Sequence, residues 1–348
     1  MGKAVISILQ GLAQGQALSV VAQIYLETEM LADAERAIAF NLRPDNAAAV
    51  VERRAQTLPL IYLSVQEFWL SEQPEAVLDL LWHVWLPLAL ALIDKRQAQT
   101  RPLIQGMVGS QGAGKTTLTR LLRMMLSQLG YPAINLSLDD FYKTYAERQE
   151  LQQADPRLVW RGPPGTHDLD LAISVLEQLR QSNSISVSLP RFDKSAYGGV
   201  GDRRPDSEQV SGIEIVLFEG WFVGARPIDP EQFATAPPPI NSEQDRNFAS
   251  DINTRLKDYL PLWQQLDGLI VLDLVDYRLS QAWRQQAEHA AIAAGQAGMS
   301  DQAIRQFVEY FWRSLHPQLF IKPLTQDPTV DLVIEIQPNH QPGRVYRS

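Results

Sequence analysis

The spacing of hydrophobic residues divides the chain near residue 98. Up to that point leucine and alanine recur at helical spacing, as in Ile24–Phe40 and Val77–Leu92, which predicts a helical region over residues 1–98. From residue 99 onward, short apolar runs alternate with helical stretches, and such runs are typical of buried parallel strands. The runs are Leu103–Val108, Ala133–Leu138, Ile185–Leu189, Ile213–Phe218, Leu269–Leu272 and Val330–Ile336. The alternation predicts an α/β fold, with a mostly parallel sheet flanked by helices over residues 99–348.

One apolar stretch, Ala76–Ile93, is long enough to cross a membrane. Asp79, His83 and Pro87 interrupt it, so we expect a buried helix of a soluble domain and no membrane partner. The first 20 residues contain one lysine and a short apolar stretch broken by glutamine and glycine, which makes a poor secretory signal. A cytoplasmic protein is therefore expected.

Charge and cysteine content exclude several classes of function. The chain has 31 basic and 40 acidic residues, a net charge of −9, so a broad basic face for nucleic acid is not expected. It has no cysteine, which rules out disulfides, thiolate nucleophiles and cysteine-ligated metals. Its five histidines show no metal-ligand spacing. No obligate protein partner is implied by any segment.

The most specific motif is a complete G-x-x-x-x-G-K-[ST] sequence between an apolar run and an amphipathic helix. Glycines let successive backbone N–H groups point at phosphate oxygens, and the helix N-terminus adds its dipole. Lys115 is expected to reach the β- and γ-phosphates of a nucleotide, and the Thr116 hydroxyl to ligate Mg²⁺. The predicted nucleotide-binding residues are Gly109, Ser110, Gln111, Gly112, Ala113, Gly114, Lys115, Thr116 and Thr117.

Carboxylates follow two of the predicted strands. Asp139 and Asp140 come after the second strand, where loops of a parallel sheet line the active crevice, and one of them is a candidate base for an attacking hydroxyl that also lies near Mg²⁺. Glu219 follows the apolar run Ile213–Phe218 and is a candidate second carboxylate near the metal. The alternative is that the aspartates only cap the following turn.

Further polar residues lie in two loops and one helical segment. The loops contain Arg161, His167, Asp193, Lys194 and Arg203, and together they suggest a substrate pocket, although each residue alone is more often a solvated or turn residue. The helical segment contains Arg278 and Arg284. It is either a surface helix or a lid, at about residues 277–300, that brings an arginine to the transferring phosphoryl group.

From about residue 100 to its end, the chain resembles the P-loop small-molecule kinases related to uridine kinase, phosphoribulokinase and pantothenate kinase. Within that group it is similar to the D-glycerate 3-kinases of plants and cyanobacteria. The resemblance rests on the phosphate loop and on these segments: SLDDFY at 137–142, RGPPGTHD at 161–168, LPRFDKSAYGGVGDR at 189–203, LFEGW at 217–221 and GMSDQAIRQFVEYF at 298–311.

The resemblance implies ATP and Mg²⁺ as cofactors and phosphorylation of D-glycerate at its 3-hydroxyl. It places Asp139, rather than Asp140, at the position of the catalytic base. It does not decide which of Arg278 and Arg284 is catalytic, and it implies no catalytic role for residues 1–98. An acidic substrate needs a cation, and the loops offer Arg161, His167, Arg191, Lys194, Arg203 and Arg204.

Three alternatives stay open at this stage. The first is a kinase of another small hydroxyl compound, pantothenate- or nucleoside-like, whose pocket needs more apolar lining. The second is a P-loop ATPase with a conformational output, against which Asp139 argues because it suits a hydroxyl acceptor. The third is a degenerate, non-catalytic scaffold, against which the intact Lys115 and Thr116 argue.

Overall fold

A computed structural model describes residues 2–69, 74–181, 186–293 and 298–348. The described N-terminal residues are helical, as predicted, with α1 at Lys3–Ala13, α2 at Val20–Ala32, α3 at Ala34–Ala39, α4 at Ala47–Trp69 and α5 at Pro74–Gln97. Of the described helices, α5 has the length and apolar composition of a membrane span, and 78% of its most apolar window is buried inside the protein. The predicted buried helix is therefore present.

Within the described residues, the central sheet has six strands. In chain order they are β1 Leu103–Gly109, β2 Ala133–Ser137, β3 Ile215–Gly220, β4 Gly268–Leu274, β5 Val330–Ile336 and β6 Pro342–Tyr346. Their spatial order is β2-β3-β1-β4-β5-β6, and the first five are parallel, whereas β6 pairs antiparallel with β5. β2 lies on one side of β1 and β4 on the other, so the connections from the strands run in opposite directions at this point. Such a reversal of strand order creates a crevice at the carboxyl end of β1.

One predicted strand does not belong to this sheet. Val187–Leu189 pairs antiparallel with Glu208–Val210 in a separate two-stranded ribbon, and Ile185 lies outside the described residues. A second ribbon joins Phe192–Asp193 to Asp202–Arg203. An apolar run of this length is compatible with either kind of strand, and the pairing partner is not encoded locally.

Helices cover both faces of the sheet. They are α6 Lys115–Gln128, α7 Tyr145–Ala154, α8 Leu169–Arg180, α9 Glu243–Arg255, α10 Leu260–Trp263, α11 Leu279–Ala293, α12 Asp301–Ser314 and α13 Pro317–Phe320. Short 3₁₀ turns lie at Leu138–Phe141, Ala196–Gly199, Pro230–Thr235, Leu256–Tyr259 and Lys322–Gln326. The predicted lid corresponds to α11 and its surroundings, except for residues 294–297, which lie outside the described residues.

Successive side chains of each strand point to opposite faces of the sheet and pack into two hydrophobic cores. Leu103 and Met107 of β1 face the core that contains the N-terminal helices and α6, whereas Ile104 and Val108 face the core formed with α8 and α9. The helical region of residues 1–98 thus covers one face of the sheet and shares a continuous apolar core with it. The predicted boundary at residue 98 is a change of secondary structure within one packed unit.

Candidate active site

The phosphate loop connects β1 to α6. Gly112 and Gly114 have φ angles of 80° and 87°, values that favour glycine, and α6 begins directly after Gly114 at Lys115. A Cβ at Gly112 would lie 3.1 Å from the ring of Trp283, so a side chain there would also crowd α11. Lys115 Nζ donates to the carbonyls of Gly109 (2.7 Å) and Ser110 (3.1 Å), which holds the ammonium group over the loop.

A cavity of about 690 Å³ lies beside this loop at the carboxyl ends of the parallel strands. We call it the central cavity. It brings together predicted site residues that are far apart in the sequence: Gln111, Gly112, Lys115, Thr116, Asp139, Arg161, Lys194, Glu219 and Arg284. Convergence of these charged groups on one cavity next to a phosphate loop defines the candidate active site.

The structure separates the two neighbouring aspartates. Ser137 and Asp140 form a capping box at the 3₁₀ turn after β2, and Asp140 also accepts a hydrogen bond from Arg191 at 2.9 Å. Asp140 therefore stabilises the turn. Burial raises the pKa of its carboxyl group despite these partners. Asp139, one residue earlier, lines the central cavity. Geometry thus favours Asp139 as the base, as the resemblance implied.

Asp139 has two polar partners inside the central cavity. Its carboxylate accepts from the hydroxyl of Tyr142 at 2.9 Å and from the ammonium group of Lys194 at 2.7 Å. Burial opposes ionisation, but these two partners outweigh it and hold the pKa of Asp139 below its ordinary value. The carboxylate is therefore ionised at neutral pH, the state that a general base requires.

Lys115, Thr116 and Glu219 form the phosphate side of the central cavity. The Thr116 hydroxyl donates to Glu219 Oε1 at 3.1 Å, so two oxygens of the kind that Mg²⁺ prefers lie side by side at the phosphate loop. The described residues contain no group of three or more acidic or histidine side chains that could hold a metal ion by themselves. Burial lowers the pKa of Lys115, while the carboxylates of Glu219 and Asp139 oppose that shift.

Arg161, Lys194 and Arg284 supply the remaining positive charge. Lys194 pairs with Asp139, and Arg284 pairs with Glu288 of its own helix at 2.5 Å. Arg161 has no carboxylate within ion-pair distance among the described residues. Its guanidinium donates to the carbonyls of Gly199 and Val200, at 2.9 and 2.7 Å. An arginine that lines a cavity without an acidic partner is suited to an anionic ligand.

The central cavity is not lined by four of the residues predicted for catalysis or for the substrate loops, namely Arg278, Asp193, Arg203 and His167. Arg278 is exposed and pairs with Asp276 at 2.6 Å, at the start of α11. Asp193 is exposed and accepts hydrogen bonds from Ser195, which fixes the turn after it. Arg203 pairs with Asp168 at 3.0 Å and donates to the carbonyl of Tyr142, so it ties loops together behind the cavity wall. Of the two lid arginines, Arg284 is thus the one that lines the central cavity.

His167, the fourth, is buried behind Tyr142. Its ring stacks on that tyrosine with centroids 4.6 Å apart, and Nδ1 is 2.7 Å from the hydroxyl of Tyr259. Burial lowers the pKa of His167 to about 3, so the ring is neutral near pH 7 and does not offer a cation to a substrate. Its place is to support Tyr142, which in turn donates to Asp139.

Sequence reasoning missed the aromatic wall of the central cavity. The wall combines residues from five separate segments, namely Tyr142, Trp160, Trp221, Trp283, Phe307 and Phe311. Trp160 meets Phe307 edge to face at 5.4 Å, and Trp221 meets Phe311 at 5.2 Å. Tyr142, Trp221, Phe307 and Phe311 lie in segments that carry the family resemblance, but only the tertiary fold brings the six rings together.

Comparisons with known proteins agree with this geometry. Residues 104–226 match the phosphoribulokinase/uridine kinase family. The chain is 34% identical over 230 residues to the uncharacterized kinase mug58 of Schizosaccharomyces pombe, covering 64% of this chain and 83% of that one. It is 31% identical over 284 residues to the chloroplastic D-glycerate 3-kinase of Arabidopsis thaliana, covering 75% of this chain and 60% of that one. The chain belongs to the phosphoribulokinase/uridine kinase family.

A solved structure supports the same conclusion. The D-glycerate 3-kinase of Cryptococcus neoformans aligns with a TM-score of 0.67 at 28% identity, over 75% of this chain and 96% of that one. The expected fold, a P-loop kinase with an added helical region, is thereby confirmed. The protein is a kinase, and its family uses ATP.

Proposed function

We propose that this kinase transfers the γ-phosphoryl group of ATP to the 3-hydroxyl of D-glycerate, with Mg²⁺, to give 3-phosphoglycerate. The observation that carries the proposal is that Arg161, which has no carboxylate partner among the described residues, lines the same cavity as Asp139. A carboxylate bound to Arg161 and a hydroxyl directed at Asp139 are the two ends of a short hydroxy acid. The names of the Arabidopsis and Cryptococcus relatives support the same substrate.

Each charged side chain then has one role. Asp139 accepts the proton of the attacking hydroxyl, and Tyr142 and Lys194 keep its carboxylate ionised and oriented. Lys115 holds the nucleotide phosphates against the loop. Arg284 offers positive charge where negative charge develops on the transferring phosphoryl group. Thr116 and Glu219 would hold Mg²⁺, which supplies charge neutralisation at the phosphates.

Selectivity follows from the charge of the central cavity. Glycerol lacks the carboxylate and would leave Arg161 without an ionic partner, so it is expected to be a poor substrate. Binding the carboxylate at one end also orients the terminal hydroxyl, rather than the 2-hydroxyl, toward the phosphoryl group. The aromatic wall gives the cavity an apolar side, and this observation keeps a bulkier acceptor such as pantothenate or a nucleoside as the second candidate.

An acceptor screen tests the proposal. ATP consumption is measured with Mg²⁺ and, separately, D-glycerate, L-glycerate, glycerol, pantothenate, uridine or no acceptor. We expect turnover with D-glycerate and almost none without an acceptor. Rapid turnover without an acceptor would identify an ATPase, and turnover with pantothenate or uridine alone would overturn the substrate while leaving the kinase fold intact.

A further inference from the structure

A second cavity, of about 270 Å³, borders the phosphate loop and extends toward the N-terminal helices. We call it the apolar cavity. The loop contributes Gly112, Gly114 and Thr117 to its lining. The rest of the wall is mainly apolar or aromatic and comes from distant segments: Trp69, Val84, Trp85, Leu118, Leu272, Ile334, Ile336 and His340.

We propose that the apolar cavity binds the base of the nucleotide, and that the N-terminal helical region supplies one of its walls through Trp69, Val84 and Trp85. The proposal rests on the use of ATP and is independent of which acceptor is phosphorylated. It gives residues 1–98 a direct part in cofactor recognition, in addition to covering one face of the sheet.

The direction of the triphosphate supports this placement. Lys115 and Thr116 line the central cavity together with Asp139, so the γ-phosphoryl group lies on that side of the loop. The base is attached to the opposite end of the triphosphate. The loop continues from Gly112, which borders both cavities, to Gly114 and Thr117, which border the apolar cavity. A nucleotide that follows the loop therefore enters the apolar cavity with its base.

The chemistry of the apolar cavity fits a flat, uncharged heterocycle. Trp69 and Trp85 stack on each other, with ring centroids 5.3 Å apart and planes 8° apart, and both rings contribute to the wall. His340 stacks on Trp283 at 4.0 Å between the two cavities. Aromatic rings bind nucleobases by stacking, and the side-chain amide of Gln341, also in the lining, can pair with a polar edge.

A third cavity reaches the phosphate loop at Ser110, but its lining includes the charged side chains of Asp273, Asp276, Arg278 and Lys322. Arg278 pairs there with Asp276, and Lys322 pairs with Asp273, both at 2.6 Å. An uncharged base would have to lie against these ion pairs, which makes this cavity less suitable than the apolar one.

The proposed walls around the base lie outside the segment that matches the family model. The match covers 104–226, which includes the phosphate loop but none of Trp69, Trp85 and His340. Recognition of the phosphates therefore follows from the family, whereas the walls around the base come from segments that the match does not reach.

Photolabelling of the wild-type protein tests the position of the base directly. After irradiation with 8-azido-ATP and proteolysis, we expect the modified peptides to contain Trp69, Trp85 or residues 338–342. Protection by excess ATP shows that labelling is specific. Specific labelling confined to the central cavity, at Trp160 or Phe307, or to Tyr277 beside the third cavity, would overturn the proposal.

Substitution of the N-terminal tryptophans gives an independent test. For Trp69→Ala and Trp85→Leu we expect the Kd for ATP, measured by calorimetry, to rise about 5- to 140-fold, the effect of losing one base–aromatic stack. The Kd for inorganic tripolyphosphate, which has no base, should stay unchanged. Leu63→Ala is the matched control, since Leu63 is an exposed apolar residue of α4, as is Trp69.

The outcomes distinguish this proposal from the proposed function. An unchanged Kd for ATP, or an equal loss for ATP and tripolyphosphate, would contradict the placement of the base. A protein that shows the expected binding pattern but does not phosphorylate D-glycerate would refute the proposed acceptor and leave this proposal standing.

Discussion

Two adjacent aspartates of the same loop have opposite environments. Asp140 is held by the Ser137 amide and by Arg191, and burial raises the pKa of its carboxyl group. Asp139 lies in the central cavity with Lys194, which lowers its pKa against the effect of burial. Asp140 stabilises a turn and Asp139 is available for chemistry, although their positions in the sequence alone do not distinguish them.

Asp139→Asn keeps the shape of the side chain and removes its charge. We expect kcat to fall about 10²- to 10⁴-fold, the range for loss of a general base, with little change in the affinity for ATP. Asp140→Asn is the matched control. It should lower the melting temperature but change kcat little. A larger loss of kcat in the control would contradict the assignment.

Lys194 sets the pH range over which Asp139 is ionised. The base must be deprotonated, so activity falls as the pH drops through the pKa of Asp139, which Lys194 holds low. In Lys194→Met that attraction is lost, the pKa rises, and the acid limb of the kcat profile should move to higher pH. Lys257→Met, at an exposed lysine outside the cavity lining, should leave the profile unchanged. An unshifted acid limb in Lys194→Met would argue against Asp139 as the base.

The phosphate loop was predictable as an element because its chemistry is local. The glycines, Lys115 and Thr116 lie within eight consecutive positions, and the flanking strand and helix are encoded by simple periodicity. Val187–Leu189 and the aromatic wall were not predictable to the same degree. Their partners come from segments separated by 19 or more residues, and no local pattern specifies those pairings.

Lys115 is expected to bind the charged phosphates of the nucleotide, and it does not contribute to the hydrophobic core. Lys115→Ala should therefore abolish turnover with a melting temperature within a few degrees of wild type, and ATP should no longer raise that temperature. Arg123→Ala, on the exposed side of the same helix, should keep both turnover and the ATP-dependent shift. A Lys115→Ala enzyme that still turned over would refute the assignment of the loop.

Asp267 fixes the start of β4 against β1. Its buried carboxylate accepts hydrogen bonds from Arg101 at 2.6 Å, Arg180 at 3.2 Å and the Ile104 amide at 2.8 Å. Removing this carboxylate leaves the buried Ile104 amide without its acceptor, which costs about 1–3 kcal/mol, so Asp267→Ala should lose about that much stability in urea unfolding while keeping its kcat at low temperature.

Asp206→Ala is the control for that loss. It removes an equally well-formed ion pair with Arg204, at 2.5 Å, but both side chains are exposed. Exposed ion pairs contribute little to the free energy of unfolding, so no measurable loss of stability is expected. Equal losses in the two variants would mean that burial does not set the strength of the Asp267 network.

At the scale of the whole molecule, the helical region and the sheet form one unit. The periodicity of residues 1–98 predicted their helices, but not that these helices cover the sheet next to the phosphate loop. Tertiary packing of this kind depends on which apolar faces meet, and the pattern of each helix alone leaves that open. Asp193, Arg203 and His167 were predicted beside the substrate because their loops are polar, and Arg278 beside the transferring phosphoryl group because it lies in the lid segment. The side chains of all four instead contact other parts of the protein.

The identity of the phosphorylated product tests the central proposal most directly. The enzyme is incubated with Mg²⁺, ATP and D-glycerate, and the product is followed through enolase with and without phosphoglycerate mutase. We expect a signal only when the mutase is present, because 3-phosphoglycerate must first be converted to 2-phosphoglycerate, and NMR should show the phosphate on the terminal carbon. A signal without the mutase would contradict the proposed orientation of the acceptor, and no phosphorylated glycerate at all would contradict the proposed function.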